Sequence, residues 1–321
     1  MTRFRGIREL STVAILIAEV LFFAWYLWPE AGRAHPFLNG ENFVLILKYS
    51  SIYGIAAVGA AVVIISGGID LAPGAVIALA GVVTGHFFVT EQWALAPSAG
   101  AGILVGVAAG VVTSILVVLV KLPPFIATLG VMGITRGLAF IITEGQYYDV
   151  SSRLASGFRP LGLPADWLAP AVMFTMAIVF QILMTKFQWG RSIFLIGGNE
   201  TAALFSGIAI GRVKATVYLA SGVLAAISGV VLVIVQGQGK ADLATGYELD
   251  IIASAVVGGA SLAGGRGSVM GAVIGTLIFG VLRNALPQIP GATFFDRLIV
   301  GLVVIAIVVA DQLLLKRGSR S

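Results

Sequence analysis

The sequence has no cysteine and only two histidines, His35 and His86, far apart along the chain. That excludes a disulfide framework, thiol redox chemistry and a cysteine-based metal site, and leaves little for a histidine metal centre. Charge is scarce as well. Asp, Glu, Lys and Arg make up 11% of the 321 residues, where a soluble domain carries about a quarter. No G-x-x-x-x-G-K-[ST] phosphate loop is present, so the chain is not expected to hydrolyse ATP itself. Gly259 and Gly264 have that motif's first spacing, but Gly265 stands where its lysine must be. Gly265-Arg266-Gly267 matches the opening of a dinucleotide fingerprint, without the soluble strand–turn–helix context that gives the fingerprint meaning. No loop is long enough for a catalytic domain.

What is present is apolar. Hydrophobic residues are 58% of the chain and the mean hydropathy is +1.01. This composition belongs to an all-α polytopic membrane protein, organised as a single transmembrane domain over residues 1–321. A span needs about 20 apolar residues. Ten candidates follow, over about 11–29, 43–66, 71–90, 98–120, 124–142, 167–187, 212–236, 249–264, 267–284 and 296–314. Arg3, Arg5 and Arg8 precede the first, which has bulky residues and no small-residue cleavage site and reads as a retained span. The third, eighth and ninth are short or glycine-rich and are expected to be broken or re-entrant.

Ten crossings would place both termini on one side. Twelve basic residues then fall on that side: Arg3, Arg5, Arg8, Lys121, Lys186, Arg191, Arg212, Lys214, Arg266, Lys316, Arg317 and Arg320. Four fall opposite: Arg33, Arg153, Arg159 and Lys240. The positive-inside bias makes the termini cytoplasmic. The outer loop Glu144–Asp166 and the inner loop Lys186–Lys214 are the two long enough to dock a partner.

Two stretches interrupt the apolar pattern. Ile64–Gly81 reads IISGGIDLAPGAVIALAG and Val257–Gly275 reads VGGASLAGGRGSVMGAVIG. Gly67, Gly68 and Leu71 match Gly258, Gly259 and Leu262 at equal offsets; after two inserted residues, Gly74 and Val76 match Gly267 and Val269. Glycine-interrupted segments at corresponding places in two halves point to an internal repeat and to a transport pathway. Adjacent glycines weaken a helix, so Gly67–Gly68 and Gly258–Gly259 are expected to open the backbone beside that pathway, with Ser66 and Ser261 next to them. For Gly271 and Gly275, a G-x-x-x-G pair, helix packing is the simpler expectation.

Asp70 is the most informative charge. A carboxylate at membrane depth costs about 2.5–3.5 kcal/mol on insertion scales and usually has a partner or a task. It either faces the pathway or caps the helix that opens at Pro73. Arg136 either lines the cavity or pairs with an acid, and Glu19 is expected at a helix interface or snorkelling. In the inner loop, Asn199–Gly207 (NETAALFSG) has the form of a short helix. Asn199 caps it, Glu200 complements its dipole, and Gly207 ends it. The small face of Ala202, Ala203 and Ser206 would fit a partner's groove; the plainer alternative is an ordinary connector. Trp25, Trp28, Trp93 and Trp167 fall near span ends, where amphipathic rings settle.

Five segments together carry a resemblance. They are SGGIDLAPG (Ser66–Gly74), KLPPFIATLG with TRGLA (Lys121–Gly130, Thr135–Ala139), GRSIFLIGGNETAALFSGI (Gly190–Ile208), Gly246–Thr276, and GVLRNAL (Gly280–Leu286). In this order they resemble bacterial ABC-importer permeases of the ribose and simple-sugar type, over roughly residues 43–314. The resemblance implies a transmembrane subunit in the bacterial inner membrane. It would pair with a second permease chain, identical or related, around a central pathway. Two ATP-binding cassette ATPases would dock on the cytoplasmic face, and a soluble sugar-binding protein would deliver a monosaccharide or similar small polar solute from outside. This chain would bind no cofactor, since ATP is used by the partner subunit. Asn199–Gly207 aligns with the coupling loop that contacts the ATPase. The sequence departs from the family at Ala72-Pro73, where Ser-Val is usual. Two other readings stay open: an ion-driven secondary transporter, for which Asp70, Glu19 and Asp250 are the plausible coupling acids, and a related permease for nucleosides or branched-chain amino acids.

Overall fold

A computed structural model describes residues 2–29, 35–154, 162, 164–295, and 298, 299, 301, 302, 305 and 309. Among the described residues, seven helices are long and apolar enough to cross a membrane. They are α2 (Gly40–Ile65), α3 (Pro73–Gly85, prolonged by a π turn at His86–Thr90), α4 (Leu95–Ser114, prolonged by another at Ile115–Leu119), α5 (Pro124–Thr143), α6 (Leu168–Lys186), α9 (Ile210–Gln236) and α11 (Val269–Ala285, prolonged by a 3₁₀ turn at Leu286–Gln288). α1 (Thr2–Tyr26) has a shorter apolar stretch, Ser11–Tyr26. α7 (Gln188–Gly198), α8 (Glu200–Phe205) and α10 (Tyr247–Val257) are too short to span. Most of the candidate at 296–314 lies outside the described residues.

Burial sorts the spans into two shells. The central window of α2 is 89% buried and those of α3 and α9 are 72% buried, whereas α4 and α5 are each 28% buried. A helix that is apolar all round is either core or lipid-facing, and the inner helices supply the core. Glycines set how closely they approach. A Cβ at Gly222 of α9 would strike the Gly106 carbonyl of α4, and one at Gly106 would strike the Gly222 carbonyl. Gly229 of α9 stands likewise against the Ile77 carbonyl of α3. In α11, Gly271 packs on the Gly258 carbonyl and Gly275 on the Ser254 carbonyl of α10, so the G-x-x-x-G pair packs as expected.

The all-α expectation missed one feature. β1 (Tyr147–Asp149) and β2 (Gln238–Lys240) form a two-stranded antiparallel ribbon, with Tyr148 opposite Gly239. Each strand has three residues, too few for a period-2 signal to stand out.

α2 and α10 end alike. Gly67 (φ +83°) and Gly259 (φ +97°) are left-handed. The amides of Gly67 and Gly68 return to the carbonyls of Ile64 and Val63 at 2.9 and 3.0 Å, and those of Gly259 and Ala260 to Val256 and Ala255, both at 2.9 Å. This is the glycine C-cap that satisfies a helix's last carbonyls. The geometry thus pairs Gly67 with Gly259, one residue out of the register that sequence identity suggests.

Candidate translocation and docking sites

The chain re-enters the protein after α2 and starts α3 partway along α9. Asp70 fixes that start. The Ala72 amide donates to Asp70 Oδ1 (3.0 Å) and the Ser221 hydroxyl of α9 donates to Oδ2 (2.7 Å), all buried. Asp70 is therefore no interfacial N-cap: Ala72 occupies that position and makes no side-chain cap. The carboxylate instead closes a short turn before the helix and clamps it to α9. Tyr218 flanks the turn, its hydroxyl 2.5 Å from where a Cβ on Gly68 would lie. Asp70, Thr113, Tyr218 and Gly222 line a cleft no larger than one water molecule, so in this conformation it admits no sugar.

A second irregular segment, residues 241–246, lies at comparable depth. The Tyr247 ring packs edge-on against Tyr53 (5.7 Å between centroids), halfway along α2, and the Ala244 carbonyl sits 2.9 Å from a Cβ built on Gly74. Non-helical backbone at such depth must have its polar groups satisfied by protein. Arg136 of α5 does this: its Nη1 donates to the carbonyls of Ala241 (2.7 Å) and Leu243 (2.8 Å). The acids Glu248 and Asp242 also act on Arg136, in line with the expected acid partner, but its hydrogen bonds to carbonyls could not be read from the sequence, because carbonyl acceptors carry no side-chain signature. Beyond the turn, buried Asp250 of α10 accepts from Arg283 Nη2 of α11 through both oxygens at 2.9 Å.

The ribbon marks the other end of α3. Tyr148 donates its phenol proton to the Ile142 carbonyl (2.9 Å), so His86 Nδ1, 3.1 Å away, is the donor to the phenol oxygen. Partial burial, with Glu144 nearby, pushes the Tyr148 phenol up and keeps it a donor. Arg153 Nη1 donates to the Phe88 carbonyl and its guanidinium lies 4.4 Å from the Phe88 ring centre.

The inner loop is more ordered than its sequence suggested. α7 was missed because glycines begin and end it. It buries Ile193 and Ile196 and is tied to α9 by Trp189 Nε1 donating to Thr216 (2.8 Å). α8 follows. Asn199 Oδ1 accepts from the Ala202 amide (2.9 Å), Glu200 pairs with Lys214 of α9 (2.7 Å), and left-handed Gly207 returns its amide to Leu204 (3.0 Å). Asn199 and Gly207 thus cap α8 as expected. The expected small face is split: Ala202 and Ser206 are exposed, Ser206 Oγ donating to the Ala202 carbonyl, whereas Ala203 is 2% exposed and packs inward. The large apolar side chains turned outward are Leu204 and Phe205, the latter 86% exposed.

A family described as the permease component of branched-chain amino acid transport systems matches residues 42–308. The chain belongs to this permease family. The permease is 35% identical over 283 residues to the ribose import permease protein RbsC of Escherichia coli (strain K12), covering 86% of this chain and 87% of that one. It is 35% identical over 287 residues to RbsC of Bacillus subtilis (strain 168), covering 86% of each. It is 36% identical over 311 residues to the L-arabinose transport system permease protein AraH of Escherichia coli (strain K12), covering 93% of this chain and 89% of that one. No solved structure matches it.

Within the permease, the sequence-predicted pathway residues have unlike surroundings, although the α2–α3 turn and the α10–α11 loop that carry most of them touch. Ser66 and Asp70 are buried at the α2–α3 turn; Ser66 Oγ donates to the Val63 carbonyl (2.6 Å). Gly258 is pressed against α11, whereas Gly259 has open space at its Cβ position. Ser261 is buried in the α10–α11 loop, its amide donating to the Arg266 carbonyl (3.0 Å). Glu19 is half-buried on α1, far in sequence from these elements.

Proposed function

We propose that this permease is the membrane-spanning subunit of an ATP-driven importer in the bacterial inner membrane, moving a monosaccharide handed over by a soluble binding protein. Relatives named for ribose, arabinose and allose support the solute class. They favour a sugar over a branched-chain amino acid or nucleoside, and a cassette-driven importer over an ion-driven carrier. The working unit includes a second permease chain and two cassette ATPases. ATP is bound by those partners, and this chain holds no cofactor. Ten crossings with both termini cytoplasmic would account for the basic-residue bias, the eighth being made by residues 241–246 and the short α10 together, and the matching caps of α2 and α10 support an internal repeat.

α8 carries the mechanism. Six residues are too few to hold a helix alone. Asn199, Gly207 and the Glu200–Lys214 pair hold this one rigidly, with Leu204 and Phe205 outward. An apolar residue on a clamped cytoplasmic helix is suited to a partner's pocket. Closure of the ATP-loaded cassettes would push α8, and the broken helices beyond would switch the side to which the pathway opens. The switch requires ATP and the loaded binding protein to bind one state better than the other.

Phe205→Glu tests this. Mass spectrometry of complexes from native membranes is expected to find a cassette ATPase with the parent and not with the variant, while the variant still inserts. Equal cassette recovery removes α8 as the dock. A parent chain that purifies alone and moves solute into ATP-free liposomes overturns the importer reading.

A further inference from the structure

Three segments distant in sequence meet backbone to backbone. At the end of α7, a Cβ on Gly197 would overlap the Ile65 carbonyl oxygen and lie 2.5 Å from the Gly265 nitrogen. One on Gly264 would lie 2.6 Å from the Gly197 oxygen and 3.0 Å from Gly67 Cα, and one on Gly265 would lie 2.6 Å from Gly198 Cα. The Gly265 amide also donates to the Ile65 carbonyl (2.8 Å). Ile65 O is among the last carbonyls of α2, which no amide of that helix reaches. The α10–α11 loop therefore completes the end of α2, and Gly197 covers the join. Side chains between elements can absorb displacement by changing rotamer; backbone packed on backbone cannot, and passes it on.

Two residues after Gly197, Asn199 caps α8. We infer that Gly197 is a positioning residue that ties the cytoplasmic docking helix to both glycine-capped helix ends, so that a push on α8 moves the α2–α3 turn and the α10–α11 loop as one. The inference rests on the importer reading for the source of the push. Gly197 has an ordinary φ, so an alanine there acts through contact. Its neighbour Gly198 has open space at the Cβ position and supplies a control of identical chemistry one residue away.

The experiment compares Gly197→Ala and Gly198→Ala in the complete complex in proteoliposomes, reading cassette recovery, ATP hydrolysed and sugar taken up. Gly198→Ala is expected to match the parent. Gly197→Ala is expected to keep its cassettes and hydrolyse ATP while the uptake per ATP falls about tenfold, within the 5–150-fold range of ordinary coupling energies. A purely structural defect would lower hydrolysis and uptake together and leave their ratio unchanged, and that result, or equal coupling in the two variants, overturns the inference. A parent with no cassette partner would instead sink the importer reading. If Gly197→Ala does not accumulate, hydrogen exchange on the parent complex decides. Segments 64–68, 195–199 and 261–268 should change protection together when nucleotide closes the cassettes. A change in one without the others overturns the inference.

Discussion

Asp70 shows how an intramembrane acid can be spent on architecture. Both oxygens are engaged, by the Ala72 amide and the Ser221 hydroxyl. An amide side chain reproduces both contacts, accepting from Ala72 and donating to Ser221 Oγ. Asp70→Asn is therefore expected to keep most uptake, whereas Asp70→Ala strands a buried hydroxyl and a buried amide and lowers stability by about 1–3 kcal/mol. Thermal unfolding of the purified protein beside whole-cell uptake checks the pair. A dead but stable Asp70→Asn would mean that the charge itself is needed, as an ion-coupled carrier requires. Arg283 is a different case. Removing it leaves the buried Asp250 carboxylate without this partner, and breaking such a pair costs about 3–5 kcal/mol. Arg283→Ala should unfold at markedly lower temperature. Replacing both residues with leucine should recover much of that loss, because two apolar side chains leave no uncompensated charge.

At the scale of the element, legibility followed signal length. The seven long spans declare themselves by apolar runs, and Pro73 marks the start of α3 because proline fits a first helical turn. The caps of α8 were readable because Asn199 and Gly207 have side-chain and conformational signatures. α7 was not, since its glycines resemble loop punctuation and its amphipathic face is only three turns long. Which way α8 faces was also hidden. Alanines at 202 and 203 suggested an outward small face, but packing on the rest of the chain turned Ala203 inward and Phe205 out. The candidate pathway was legible as a pair of glycine-broken segments. Their register was not, because either glycine of a Gly-Gly pair can take the left-handed position, and the two pairs chose differently.

At the scale of the whole molecule, α4, α5 and α6 form an outer shell whose apolar residues, Leu119 and Ile141 among them, are exposed, as a surface that faces lipid requires. The inner shell holds the irregular turn at 241–246, and Arg136 from the outer shell donates to two of its carbonyls. Arg136→Leu should cost about 1–3 kcal/mol for each carbonyl left unpaired, read as lower thermal stability in detergent, with Arg136→Lys intermediate because its compact, strongly hydrated ammonium lacks the rigid planar fork of the guanidinium. The turn also bears on how the protein is made. A helix leaving the ribosome satisfies its own backbone and can enter lipid alone; residues 241–246 cannot, and α10 behind them is too short to anchor itself. They must wait for α5, synthesised about a hundred residues earlier, to offer its guanidinium. The order of synthesis along this chain is thus also its order of solvation, and an Arg136 defect should appear first as nascent chains whose last quarter stays outside the bilayer.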